Sequence, residues 1–286
     1  MKYWVLYNPY ANNMKGKEGA EKIRGVLDGE FEFVDLTKLD DYYGALCAVP
    51  QDDTIVVCGG DGTLNNFINK AKDIPQSREV LYYPTGSGND FLREIAETDK
   101  SEVISLNKYL VDLPTVYVNG MEKKFLNGIG YGVDGYACEV ADNMRAKSST
   151  KKINYTTIAI KGLLFYYKPT NATIIVDGKE YHFKKVWIAP TMHGKYYGGG
   201  VVPAPNQDRL GEDRKLSVMV LHGTGKLKTL MLFPSLFKGT HLKYDKAISV
   251  IEGKEVTVKF DGERALQIDG ETVLGVREYT VKSARL

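Results

Sequence analysis

A carboxylate set among glycines directly after an apolar run is the first feature with chemical meaning. Gly59-Gly60-Asp61-Gly62-Thr63 follows the Thr-Ile-Val-Val-Cys run at 54–58 and leads into a helical pattern at Leu64, Asn65 and Asn66. Glycines at such a turn let backbone N–H groups approach a phosphate closely, and a helix amino terminus adds positive potential. A carboxylate there repels phosphate unless a divalent cation bridges the two, so Asp61 points to Mg2+ together with a nucleotide. Taken alone, the turn reads equally well as a tight connection with Asp61 as a cap. A second such segment, Pro84-Thr85-Gly86-Ser87-Gly88-Asn89-Asp90, follows the apolar run at 79–83, and Asn8-Pro9-Tyr10-Ala11-Asn12-Asn13 follows the run at 3–7. Polar loops of small residues at the ends of three successive strands converge on one edge of a parallel sheet, which is what a nucleotide needs.

The carboxyl-terminal half carries a second set of acids. Asp269 and Glu271 flank Gly270 after the extended run 265–268. A spacing of two along an extended chain directs both carboxylates to the same side, where they suit the proton and charge handling of phosphoryl transfer. An isolated Asp-Gly-Glu reads more simply as a surface turn with two solvated acids. Asp134 follows Gly128, Gly130 and Gly132, and by itself is balanced between a ligand-facing acid and a cap for a helix from Tyr136. These glycines, with Gly135, imitate a dinucleotide fingerprint, but no Asp or Glu stands about 20 residues on, where a ribose contact falls. The four histidines, His182, His193, His222 and His241, lack metal-ligand spacing, and no HExxH or Walker A sequence occurs.

The elements needed to position these residues are legible. Up to residue 113, short apolar runs alternate with helical patterns: strands at 3–7, 31–34, 54–58 and 79–83, helices at 17–27, 39–49, 64–72 and 89–96. That alternation predicts βαβ units on a parallel sheet, with 54–58 buried on both faces. After Pro114 the pattern is mostly strand, at 115–118, 173–176, 181–189, 216–221, 255–260 and 264–268, with Asp177-Gly178 and Asp261-Gly262 as hairpin signals. Two helical segments interrupt it, 136–147 running on to 167, and 226–237. The prediction is an α/β domain over 1–113 and a β-sandwich domain over 114–286, with the last ten or so residues free to return to the first domain.

With 286 residues, 43% hydrophobic and 26% charged, the chain has an ordinary globular composition, which excludes disordered, collagen-like and disulfide-stapled classes. Thirty-eight basic against 36 acidic residues leave a net charge of +2, without the overall electrostatic footprint of a nucleic-acid partner. Cys47, Cys58 and Cys138 have no zinc or CxxC spacing, and Cys47 and Cys58 read as small buried hydrophobes of a reducing compartment. The amino terminus lacks a signal-peptide pattern, and no run reaches the roughly 18 apolar residues of a membrane span. A cytoplasmic protein is expected. Two stretches mix lysines with apolar residues, 145–168 and 226–238. Each is either a transient contact with anionic headgroups or an amphipathic helix packed on the sandwich.

Five segments in order carry a family resemblance: Gly59–Asn66, then 84–91, then Phe125-Leu126-Asn127-Gly128-Ile129-Gly130 with Asp134, then Gly198-Gly199-Gly200 with Pro203 and 213–216, and the closing Gln267-Ile268-Asp269-Gly270-Glu271. Together they resemble the diacylglycerol kinase catalytic fold, nearest to the bacterial lipid kinases of the diacylglycerol and sphingosine kinase group. The resemblance implies an α/β nucleotide domain, a β-sandwich domain and an active site in the cleft between them. It places ATP on Asn8, Pro9, Tyr10, Ala11, Asn12, Thr37, Gly59, Gly60, Asp61, Gly62, Thr63, Leu64, Asn65, Asn66, Ser87, Gly88 and Asn89. By the same resemblance, Asp61 acts through Mg2+, Asp134 and Asp269 complete an acidic network, and Glu271 is the general base toward a lipid hydroxyl. A separate structural metal would fall on Leu210, Asp213 and Lys215. The implied partner is a lipid met peripherally at a membrane surface, with a homodimer left open.

Three departures stand out. Asn12 replaces a family glycine, Asn66 a usual Glu, and Arg214 a glycine of the metal loop. Asn tolerates left-handed backbone angles better than most residues, so the first turn can survive. The preferred expectation is an ATP- and Mg2+-dependent lipid kinase. A kinase for a soluble hydroxyl compound such as NAD, which shares the glycine-rich turn, and a non-catalytic binding homologue are the alternatives.

Overall fold

The computed structural model describes residues 1–86, 89–147 and 154–284, and the chain divides into the units Met1–Leu113 and Pro114–Leu286. The first unit carries β1 (Lys2–Tyr7), β2 (Glu30–Asp35), β3 (Thr54–Gly59), β4 (Val80–Pro84) and β5 (Ile104–Ser105). Their order is β2-β1-β3-β4-β5, with β1 to β4 parallel and β5 antiparallel. The β-branched strand β3 is buried at every residue, as expected of a strand covered on both faces. The chain steps from β1 to β2 on one side and returns to β3 on the other, so the strand order reverses between β1 and β3. In such sheets a ligand crevice lies at that reversal, outside the carboxyl ends of the strands.

The helix expected over 17–27 is α-helical only over Gly16–Glu21 and tightens to a 3-10 turn over Lys22–Gly25. That expected from 39 starts at Tyr42, because the Asp41 side chain accepts the Gly44 N–H at 2.9 Å and fixes the cap there. Cys58 is buried, but Cys47 is exposed, contrary to expectation. It is the last residue of its helix, and Leu46 takes the inward position.

The second unit contains β6 (Thr115–Val118), β7 (Met121–Lys124), β8 (Gly128–Tyr131), β9 (Thr170–Val176), β10 (Lys179–Val186), β11 (Thr191–Met192), β12 (Leu216–Leu221), β13 (Ile248–Gly253), β14 (Glu255–Ile268) and β15 (Glu271–Lys282). β14 organises them. Its first half pairs with β9, its second half with β8, and β15 runs alongside both halves. The hydrogen-bonded sheet thereby folds over on itself around a core that includes Ile129, Ile174, Val218, Val258 and Leu266. Tyr131 stacks on Phe260 in it, ring centroids 4.1 Å apart, giving a sandwich-like layering.

Asp177-Gly178 makes the expected hairpin turn, with φ of 48° and 80°. Asp261-Gly262 does not. The two strands expected on either side of it are one strand, because β15 is continuous opposite both and a register shift between Lys259 and Arg264 absorbs the extra residues as a bulge. The reversal falls instead at Asp269 and Gly270, with φ of 45° and 91°. β15 stays in this sheet, pairing Thr280 with Tyr117 and Val281 with Val116, so the chain as far as Lys282 does not return to the first unit.

A helix at Val133–Lys147 opens directly after β8. The expected continuous helix to 167 crosses residues 148–153, which lie outside the described residues. Asn154 caps a new helix, Tyr155–Lys161, by accepting the Thr157 N–H at 2.9 Å, and a π-helical turn, Gly162–Tyr166, follows. These helices and Lys226–Phe237 pack on the sheet through a second cluster that includes Trp187, Met219, Leu163 and Leu236. Among the described residues no helix is long and apolar enough to cross a membrane.

Candidate active site

In the first unit the loops after β1, β3 and β4 come together at the carboxyl edge of the sheet. The Gly59 carbonyl accepts the Thr85 and Gly86 N–H groups at 3.0 and 3.1 Å and the Tyr82 hydroxyl at 3.0 Å. A Cβ on Gly86 would overlap Gly60 backbone, so this approach requires glycine. Gly60 is extended and opens the Asp61–Lys70 helix, leaving that helix amino terminus at the loop. The Asp61 carboxylate accepts the Asp90 N–H at 2.7 Å and the Phe91 N–H at 3.2 Å, capping the helix after β4. Gly62 is exposed, whereas Thr63, Leu64 and Asn65 are buried in the packing of their helix and Asn66 is half-buried. The Asn89 side chain donates to the Gly86 carbonyl at 2.7 Å. Ser87 and Gly88 lie outside the described residues.

The loop after β1 is tightly wound. Asn8 accepts the Tyr10 N–H on its side chain at 2.9 Å and the Ala11 N–H on its carbonyl at 3.0 Å, and half-buried Pro9 lies between them. Asn12, Asn13 and Met14 have φ of 50°, 55° and 68°. The asparagine that replaces a family glycine thus holds the left-handed conformation it was expected to tolerate. Three consecutive non-glycine residues there are a strained arrangement of the kind that collects at ligand sites. Gly19, on the Gly16–Glu21 helix, approaches Thr85, which brings this segment to the loop after β4. Thr37, exposed at the end of β2, donates its N–H and hydroxyl to Asp35 at 3.0 and 2.7 Å.

The acids of the second unit have separate surroundings. Asp269 occupies the left-handed first position of the β14–β15 turn, so the alternation expected of an extended chain does not apply to it and Glu271. Its carboxylate accepts the N–H groups of Leu126, Asn127 and Gly128, at 2.5, 2.9 and 3.0 Å. The buried Arg209 guanidinium holds the same segment from its carbonyl side, donating to Leu126 O at 3.2 Å and Asn127 Oδ1 at 3.1 Å. Burial pushes the Asp269 carboxyl up from its ordinary value, against the pull of the three amides and Arg209.

Asp134 stands over Gly130. It accepts the Gly135 N–H at 3.0 Å and the Tyr197 hydroxyl at 2.8 Å, and burial raises its pKa. A Cβ on Gly130 would overlap both the Asp134 carboxylate and the Gln267 amide. Gln267 pairs with Gly130 across the sheet and accepts the Gly270 N–H at 2.6 Å. Gln267 thus braces the Asp269 turn and, like Asp134, lies close against Gly130. Glu271, exposed, forms an ion pair with Lys123 of β7. The sequence pattern carried no signal for Lys123, Tyr197 or Arg209, which belong to an unforeseen strand and to loops.

The residues expected to hold a structural metal do not fit a cation. Asp213 is exposed and pairs with the Lys215 ammonium at 2.9 Å, which holds its carboxyl below the ordinary value. The Lys215 carbonyl accepts the Gln207 amide at 2.8 Å. Leu210 donates its N–H to Asp208 at 3.0 Å. Arg214, left-handed at φ 51°, brings a guanidinium into the loop and donates to the Arg209 carbonyl at 2.9 Å. Among the described residues no group of three or more His, Cys, Asp or Glu could hold a metal ion. A chelator should accordingly leave the melting temperature of the purified protein unchanged, as read by differential scanning calorimetry; a fall of several degrees would restore a structural cation to this loop.

Residues 2–110 match the model of the diacylglycerol kinase catalytic domain, and residues 127–282 match that of the YegS C-terminal NAD kinase beta sandwich-like domain. The chain belongs to the diacylglycerol kinase and related lipid kinase family that these two domains define. It is 29% identical over 225 residues to a diacylglycerol kinase of Mycobacterium tuberculosis, covering 73% of this chain and 68% of that one. A crystal structure of a diacylglycerol kinase from Bacillus anthracis superposes with a TM-score of 0.64 at 19% identity, over 99% of this chain and 94% of the other. That likeness bears on the fold.

Proposed function

We propose that this chain is an ATP- and Mg2+-dependent lipid kinase that transfers the γ-phosphoryl group to a hydroxyl of a diacylglycerol-like lipid. The observation that carries the reading is the meeting of the loops after β3 and β4 at the Gly59 carbonyl and the Gly60–Gly86 contact, beside the strand-order reversal and a helix amino terminus. Backbone N–H groups at such a turn suit the phosphates of the donor. Asp61 is the carboxylate of this loop that would hold a Mg2+ bound with the nucleotide, and the cation would supply charge neutralisation at the phosphates. Glu271 takes the proton of the acceptor hydroxyl as its oxygen bonds to the γ-phosphorus and the bond to the β-phosphate oxygen breaks, releasing ADP. Lys123 positions Glu271 through their ion pair.

Gly86→Ala should lower kcat/KM by roughly a hundredfold, because its Cβ forces the loops apart by about an ångström. Unchanged kinetics would remove this contact from the donor site. The acceptor is tested by incubating the full chain with γ-labelled ATP, Mg2+, a panel of hydroxyl lipids, and NAD. Label is expected in the organic phase as a phosphorylated lipid. Label in NADP would support the second reading, a soluble-substrate kinase, which the NAD kinase-like description of the second unit favours.

A further inference from the structure

We propose that the π-helical turn Gly162–Tyr166 and the helix Lys226–Phe237 together form a face that docks onto an anionic phospholipid bilayer. Phe165 and Tyr166 are 70% and 69% exposed, and Leu227 and Met231 are 70% and 66% exposed. The neighbouring Leu163 and Tyr167, and Leu232, Phe233 and Leu236, are buried. The outward residues are therefore a second apolar set, additional to the one that packs the core. Leu227 and Met231, four residues apart, share one face of their helix. In the π turn, Phe165 and Tyr166 point out in succession with ring centroids 6.3 Å apart, and π turns occur frequently at functional sites. The two elements form one surface: Lys226 donates from its ammonium to the Leu164 carbonyl at 2.9 Å, and both contribute to the same buried cluster.

Charge selects the occupant. Lys161, Lys168, Lys226, Lys228 and Lys238 are exposed on or beside these elements, and neither 155–170 nor 223–240 contains an Asp or Glu. Apolar side chains ringed by lysines match a bilayer with anionic headgroups. A second copy of this chain, joined through the same face, would set lysines against lysines. Glu139 and Glu263 line a cavity of about 490 Å³ beside Tyr166 and belong to other elements. Vesicle binding is read without turnover, so docking can stand or fall separately from the kinase reading.

The test is co-sedimentation of the full chain with phosphatidylglycerol–phosphatidylcholine vesicles at low salt, against phosphatidylcholine alone. The chain is expected to partition to the anionic vesicles and to be released by salt. The variant F165S/Y166S/L227S/M231S should bind roughly tenfold more weakly or less, as should K161Q/K168Q/K228Q. All these side chains are exposed, so melting temperatures should match the parent's. Turnover of a short-chain diacylglycerol below its micelle concentration should be unchanged in the apolar variant. Absent binding by the parent, undiminished binding by the apolar variant, or a parental dimer that this variant dissociates without loss of vesicle binding would each overturn the proposal.

Discussion

Glu271→Gln is expected to lower phosphoryl transfer by about 10²- to 10⁴-fold, the usual contribution of a positioned general base, while nucleotide affinity stays unchanged. The amide has nearly the shape of the carboxylate but cannot take the acceptor proton. Glu271 is exposed and pairs with Lys123, and glutamine nearly matches its shape, so its replacement should leave the fold intact. Steady-state transfer and calorimetric titration with ATP separate the two effects. Lys123→Gln should give a smaller loss in kcat, since it removes only the positioning partner. Undiminished transfer by the Gln variant would move the base to another acid, with Asp134 the next candidate.

Asp269→Ala is expected to destabilise the protein by about 3 kcal/mol or more, since each buried donor left without its acceptor costs about 1–3 kcal/mol. Three backbone N–H groups, of Leu126, Asn127 and Gly128, lose their acceptor at once. The Arg209 guanidinium would remain on the other side of a segment no longer held in place. Alanine also tolerates the φ of 45° poorly. Asp269→Asn keeps one acceptor oxygen and a residue suited to that conformation, so it should lose less. Urea unfolding of the three proteins measures the difference. Equal stabilities would mean that the carboxylate does not brace Leu126–Gly128.

Much of this was legible in the residues, for identifiable reasons. β3 was readable because a strand buried on both faces must be apolar at every position. The loops after β1, β3 and β4 were readable because glycine, proline and asparagine punctuate the chain where parallel strands end. The left-handed conformation of Asn12 followed from backbone sterics alone. Asp261-Gly262 misled because a local turn signal cannot report that a continuous neighbour, β15, runs opposite both halves of β14. Asp269 was legible as a special residue, but its grip on a segment more than a hundred residues distant was not. The Asp213 loop looked like a cation site by its order in the chain, while the pairings of Asp213 with Lys215 and of Lys215 with Gln207 arise only from folding. Lys123 escaped notice because the strand that carries it is short and polar on every residue but Met121.

Hydrogen–deuterium exchange on the full chain, with and without saturating ATP and Mg2+, tests the donor site most directly. Slower exchange is predicted for backbone amides at 8–14, 59–64 and 84–91. Protection centred on 128–135, the run that imitates a dinucleotide fingerprint, with no change at those three segments, would contradict it.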